Sequence, residues 1–220
     1  MKYLYSIKPN WRRSMAGFTL VELMISTGVF SVVLLICTTA VLVIGQDFNK
    51  ASIASLTQNT SRNIIDNITR ELQYNTGNYR IGFNGGDGVE KIAICIGTVR
   101  YSYLLGYELV DGSFDSAKQQ SPHVLWRDEY TGNCEPANVT EETLTSGKEL
   151  MSLHTRLRAG TGLNITEDKR ATGTLYNIDV AVIYGDKDVI TAADRCVSSR
   201  SGGAFCGLSE LHTAVFRKAK

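Results

Sequence analysis

One unbroken apolar run and two periodicities divide this chain. From Phe18 to Ile44, 27 residues, Glu22 is the only charged side chain. At about 1.5 Å rise per residue, a helix of that length spans about 40 Å, more than the roughly 30 Å of hydrocarbon in a bilayer. Such a helix satisfies its backbone hydrogen bonds internally, as a membrane requires. Beyond Gly45 the pattern becomes amphipathic. Phe48, Ala51, Leu56, Ile64, Ile65, Ile68 and Leu72 recur at mostly helical spacings, with a break between Thr57 and Arg62. Arg62–Asp66 and Asp66–Arg70 stand four apart, as ion pairs on a polar helix face would. The two patterns predict one helix from residue 18 to about 74. Gly28 and Gly45 are its weak points, because glycine inside a helix costs about 1 kcal/mol relative to alanine. Asn75-Thr76-Gly77-Asn78 ends it, with Gly77 as the expected cap.

From Tyr79 onward the period shifts toward two. Ile92, Ile94 and Ile96 alternate with Ala93 and Cys95, and Val99 to Leu105 follows Gly97-Thr98 as the return strand of a hairpin. Short strands are expected at Tyr107–Val110, ending in the Asp111-Gly112 turn, and at His123–Tyr130. Residues 133–147 read as a loop, and Glu149–Leu157 fits helix and strand equally. Leu175–Tyr184 is a strand by its alternation of Ile178, Val180, Val182 and Tyr184, and His212–Arg217 is a last edge strand. One long helix followed by strands is an α+β pattern. The helix has a transmembrane half and an amphipathic half packed on an antiparallel β-sheet head. The expected division is a basic leader (1–17), a transmembrane helix (18–45), the amphipathic half (46–77) and an exported β-rich head (78–220). The stripe of the amphipathic half packs on the protein's own sheet; the apolar half needs lipid or a partner helix.

Charge adds an orientation. The chain of 220 residues carries a net charge of only +1, which gives no general nucleic-acid surface. Its first 21 residues, however, hold Lys2, Lys8, Arg12 and Arg13 and no acid. By the positive-inside rule this end stays cytoplasmic and the rest is exported. A secretory signal has a shorter apolar region with its cut site behind it. Glu22 lies one turn inside the run. A carboxylate there either snorkels to the interface or is kept for a function.

The string Gly17-Phe18-Thr19-Leu20-Val21-Glu22-Leu23-Met24 resembles the cleavage and methylation signal of type IV pilins and their relatives, the pseudopilins and competence pilins. The resemblance implies that a prepilin peptidase cuts between Gly17 and Phe18, that Phe18 becomes an N-methylated N-terminus, and that Glu22, with Thr19 beside it, serves filament assembly. Glu22 would pair with the N-terminal amine of a neighbouring subunit. In an apolar environment each of these charges offsets the desolvation of the other. Implied partners are other pilin subunits through the N-terminal helix, the peptidase, the membrane, and indirectly an assembly platform with its ATPase, since this chain has no nucleotide motif. The implied location is the cytoplasmic membrane with the head outside, then an extracellular pilus. Size and layout, with Arg70-Glu71-Leu72 near the helix end, look most like the larger PilW-like minor pilins or the J-type pseudopilins. A type II secretion pseudopilin is the near alternative. An uncut, signal-anchored receptor or adhesin is the alternative of another class.

Five cysteines remain to be placed. Cys37 is an apolar filler of the membrane helix. Cys95, Cys134, Cys196 and Cys206 form two disulfides in an exported head, with three connectivities open. Cys196–Cys206 is the favoured pair, because it closes a loop rich in Ser and Gly; Cys95–Cys134 then follows. Catalysis is not expected. His123, His154 and His212 are far apart, and no hydrolase, zinc-protease or P-loop string occurs. No cofactor or metal is expected either. Gly85–Gly88 and Asp186–Asp188 lack calcium-loop spacing, although calcium stays open. Tyr101, Tyr103, Tyr107 and Tyr130 read as half-buried sheet residues. Stacking on nucleic acid is a weaker reading, because Arg100 and Arg127 are their main basic neighbours. The sequons at Asn59, Asn67, Asn138 and Asn164 read as chance matches.

Overall fold

The structure is a computed structural model, described over residues 18–75, 77, 79–84, 91–129, 147–185, 188–191, 195–197 and 205–218. One helix, α1 (Leu20–Tyr74), runs unbroken for 55 residues through both Gly28 and Gly45. The chain divides into two units at Gly45.

The first unit contains the apolar half of α1, and every described residue in it is exposed. Four of its five hydroxyls, all but that of Ser26, bond back onto the helix. Thr27 Oγ1 donates to Met24 O at 3.0 Å, Ser31 Oγ to Thr27 O at 2.8 Å, Thr38 Oγ1 to Leu34 O at 2.7 Å and Thr39 Oγ1 to Ile36 O at 2.9 Å. These four hydroxyls, which would be costly in hydrocarbon, therefore have partners within the segment.

In the second unit α1 buries a continuous stripe of Ile53, Thr57, Thr60, Ser61, Ile64, Ile68 and Leu72. This departs from the sequence expectation in register. Phe48 and Ala51 are exposed, and Ile53 takes the buried place. The break at Thr57–Arg62 is absent because threonine and serine can sit on a buried helix face when the hydroxyl bonds back to the helix. Thr57 Oγ1 donates to Ile53 O at 3.1 Å, and Thr60 Oγ1 to Leu56 O at 2.9 Å, with Ser152 Oγ 2.8 Å away. Neither Arg62–Asp66 nor Asp66–Arg70 is an ion pair among the described residues. Glu71 instead reaches Arg127 of the sheet, with Nη2 2.6 Å from Oε1.

The head is built of two sheets. The first has five antiparallel strands in the order β1 (Tyr79–Asn84), β2 (Lys91–Ile96), β3 (Val99–Leu104), β6 (Leu125–Glu129), β7 (Lys148–Glu149). β2 and β3 form the expected hairpin, with Ile96 opposite Val99 and Gly97 at φ +65° in the two-residue loop. All six β2 residues are buried, so this central strand is covered on both faces and its alternation carries no inside–outside meaning. The second sheet follows β11 (Gly207–Lys218), β10 (Gly173–Tyr184), β8 (Thr155–Leu157), β4 (Glu108–Leu109), β5 (Gln120–Ser121), and β9 (Leu163–Arg170) also pairs with β10. Its β4–β5 pair is parallel, the one exception to the antiparallel expectation among the described strands. Glu149–Leu157, ambiguous in sequence, supplies strands to both sheets.

Ile64, Ile68 and Leu72 join Ile94, Tyr101 and Leu125 of the first sheet and Ile178 and Val180 of the second in one core. Tyrosine hydroxyls link the sheets: Tyr79 Oη donates to Ile165 O at 2.9 Å and Tyr103 Oη to Leu163 O at 3.3 Å. Tyr101, Tyr103 and Tyr107 are buried more deeply than half, which removes them as stacking surfaces; Tyr130 lies outside the described residues. Burial pushes the Tyr101 phenol up to about 12.

The helix end differs from the expectation. Gly77 does not take a left-handed conformation. Asn75 closes the helix with its own side chain: Nδ2 donates to Ile96 O at 3.0 Å and Oδ1 accepts the Gly77 N–H at 3.2 Å. Glycine is required at 77 for a different reason, since a Cβ there would lie 1.9 Å from the Gly97 Cα.

Candidate functional site

The first turn of α1 gathers the residues singled out by the N-terminal motif. Gly17 lies outside the described residues. Phe18 is 83% exposed. Thr19 stands at the N-cap and Glu22 three residues on. The Thr19 N–H and Oγ1 both donate to Glu22 Oε2 at 2.9 Å, and the Glu22 N–H donates back to Thr19 Oγ1 at 3.2 Å. Leu23 N–H then makes the first helical bond, to Thr19 O at 3.2 Å. This is a capping box, in which two otherwise unpartnered N–H groups are satisfied reciprocally. The carboxylate also lies at the positive end of the helix dipole. A Thr-x-x-Glu string before an apolar run is the sequence signature of this arrangement, and residues 19–22 carry it. Glu22 therefore has a local role besides any intermolecular one. Its Oε2 is occupied within the turn, and its Oε1 has no partner among the described residues.

Residues 12–38 match the family model of the prokaryotic N-terminal methylation motif. The N-terminus is type IV pilin-like. The match spans 27 of the 220 residues and covers Gly17, Phe18, Thr19 and Glu22. Comparison of the chain with curated proteins and with solved structures finds no match. A prepilin-type motif implies recognition by a prepilin peptidase and pilin assembly in general. The apolar half of α1 fits membrane anchoring: it is the one helix among the described residues long and apolar enough to cross a bilayer.

Behind this pilin-like N-terminus, the head keeps its ionisable groups in separate places. Cys196 and Cys206 are joined in a disulfide, with Cα atoms 5.6 Å apart, beside Ile183, Val189 and Ile190. Cys95 is buried and disulfide-bonded, and Cys134 lies outside the described residues. Cys37 is a free thiol on the apolar helix. His154 Nδ1 is 3.0 Å from Glu108 Oε1, and Arg156 Nη2 is 3.2 Å from the other oxygen of that carboxylate. His212 Nδ1 is 2.6 Å from Asp179 Oδ1. His123 packs edge-on against Trp126 at 4.3 Å. The three histidines have three different partners and do not converge. No group of three metal-ligating side chains occurs among the described residues. Of the two calcium-loop candidates, residues 85–88, 186 and 187 lie outside them.

A residue that sequence reading missed is Glu149. Its carboxylate accepts N–H bonds from Val124 (2.9 Å), Leu125 (3.0 Å), Leu150 (3.1 Å) and Met151 (3.0 Å), and His123 Nδ1 lies 3.9 Å away. One carboxylate thus supplies acceptors to four backbone N–H groups at the β6–β7 pairing. Nothing in the local sequence announces a carboxylate in that role.

Proposed function

We propose that this protein is a minor type IV pilin: a structural subunit cut by prepilin peptidase between Gly17 and Phe18, methylated at Phe18, and built into a filament or its tip through the apolar half of α1. The observation that carries the reading is the coincidence of the methylation motif with the geometry of the first turn. In the capping box Glu22 uses one oxygen to begin its own helix. The other oxygen is left for the Phe18 ammonium of an adjacent subunit, and pairing offsets the desolvation of both charges in the filament interior. The exposed apolar face from Phe18 to Ile44 supplies the packing surface that holds subunits together. Before assembly the same face lies in the cytoplasmic membrane, with the leader inside and the head outside. The chain is a substrate of the peptidase and works without cofactor; extension is driven by a separate ATPase.

The test is recovery of tagged chain in sheared filaments. The wild-type chain is expected there as a minor component, and Glu22→Ala is expected to stay in the membrane fraction at normal level. Recovery only with an active secretion machinery, and never with pili, would assign the chain to the pseudopilins instead. Glu22→Ala entering filaments at wild-type level would contradict the assembly role.

A further inference from the structure

A cleft of about 400 Å³ opens in the head at the end of β10, lined by His154, Tyr184, Gly185, Asp188, Val189 and Phe205. Its walls are held from behind. Gly185 stands at φ +133°, and a Cβ there would lie 2.9 Å from Val189 Cγ2 and 3.0 Å from Phe205 O. The missing side chain lets both segments close on the strand end. The residue after Phe205 is tied by the Cys196–Cys206 disulfide, and the Val197 N–H donates to Val189 O at 2.9 Å. On the other side His154 has φ +62°, a conformation that persists in a residue with a side chain where the surroundings over-determine it. Its N–H donates to Leu109 O at 2.9 Å, and its Nδ1 is 3.0 Å from Glu108 Oε1. Glu108 is buried and pairs with Arg156, which also donates to Gly185 O at 2.8 Å. Those two charges balance each other beneath the cleft.

The lining combines rings with one free charge. The His154 and Tyr184 rings stand 6.4 Å apart at 75° and form a corner, and Phe205 is 54% exposed. Asp188 is the one carboxylate among the described lining residues, is exposed, and has no ion-pair partner among the described residues. No Lys or Arg lies beside it in that lining. Ring faces carry negative potential, so rings and carboxylate together attract a cation. A primary ammonium brings three N–H donors. The cleft offers them one carboxylate, and Gly185 O is already engaged by Arg156. A quaternary ammonium has no donor to satisfy, and its methyl groups suit rings and Val189. We propose that this cleft binds a quaternary ammonium group of the choline kind, with its methyls against Tyr184, Phe205 and His154 and its charge facing Asp188. The proposal is independent of the filament assignment, because all of its residues lie in the head.

The experiment uses the full chain in maltoside micelles, with millimolar choline as the probe, read by saturation-transfer NMR on the choline methyls and by calorimetry. Choline should bind about tenfold more tightly than 3,3-dimethylbutanol, its uncharged carbon isostere. Ethanolamine, the primary ammonium, should bind more weakly than choline. Asp188→Asn should weaken choline about tenfold and leave 3,3-dimethylbutanol unchanged. Phe205→Leu keeps an apolar side chain but should weaken choline about fivefold. Both positions are exposed, and an unchanged urea midpoint shows that the variants fold. Phosphocholine separates the sources of the group: binding equal to that of choline assigns a phosphate-linked headgroup, and weaker binding assigns a free ammonium compound. Any of four results would overturn the proposal: no choline binding, equal binding of 3,3-dimethylbutanol, equal or tighter binding of ethanolamine, or choline affinity unmoved by both Asp188→Asn and Phe205→Leu.

Discussion

Replacing Glu149 by glutamine changes one oxygen to an NH2 group and little else in shape. In the head that atom matters, because both carboxylate oxygens are acceptors. Oε1 takes the N–H groups of Leu125, Leu150 and Met151, and Oε2 takes that of Val124. Glutamine can present its oxygen to the three donors, but its NH2 then faces the Val124 N–H. One buried donor left without an acceptor costs about 1–3 kcal/mol. Glu149→Ala leaves Val124, Leu125 and Met151 without this acceptor, whereas Leu150 keeps a second bond to Leu125 O at 3.0 Å. At the lower figure for each lost partner, the alanine variant loses about 3 kcal/mol or more. Burial also holds the Glu149 carboxyl above its ordinary range, outweighing the N–H donors and nearby His123. A folded-state pKa above the unfolded one means that the folded state binds the proton more tightly. Stability therefore falls as pH rises from the ordinary carboxylate value through the raised one, and glutamine removes that slope. Urea unfolding of the full chain in detergent, followed by tryptophan fluorescence, measures both effects, since Trp126 lies directly opposite Glu149 in the strand pair. A glutamine variant with the wild-type midpoint and the wild-type pH slope would refute the reasoning.

Three further outcomes follow from the fold. Cys196→Ser with Cys206→Ser opens a loop of sequence separation 10 and should cost the head about 3 kcal/mol, read by the same unfolding assay. Gly77→Ala drives a Cβ into the Gly97 backbone and should cost about 1–3 kcal/mol, whereas Gly112→Ala, with open space around it, should be near neutral. Ile68→Ala empties a fully buried position between helix and sheets and should cost about 2–5 kcal/mol, while Phe48→Ala, 72% exposed, should leave the unfolding midpoint unmoved.

How far the fold could be read ahead differs from element to element. The long helix was legible because Phe18–Ile44 is too apolar to be anything else and the stripe beyond it repeats at helical spacing. The register of that stripe was not, because Thr57, Thr60 and Ser61 count as polar until their hydroxyls are seen to bond to the helix. The β2–β3 hairpin and β10 were legible through Gly97-Thr98 and through alternation. β9 was not: half of Leu163–Arg170 is charged, from Glu167 onward, and it is a strand because its backbone pairs with β10. The division of Glu149–Leu157 between two sheets is likewise a matter of tertiary pairing. At the N-terminus the motif was plain in the residues, while the Thr19–Glu22 capping box needed only its spacing to be noticed.

The central claim is that this chain enters the pilin pathway, and its N-terminus decides it. Intact and peptide mass spectrometry of the membrane-extracted protein, from cells with and without prepilin peptidase, measures that end directly. The account predicts a mature chain beginning at N-methyl-Phe18 when the peptidase is present and the uncut chain when it is absent. A chain still carrying Met1 to Gly17 in cells with an active peptidase would contradict it, and Glu22 would be left as the capping residue of an ordinary membrane anchor.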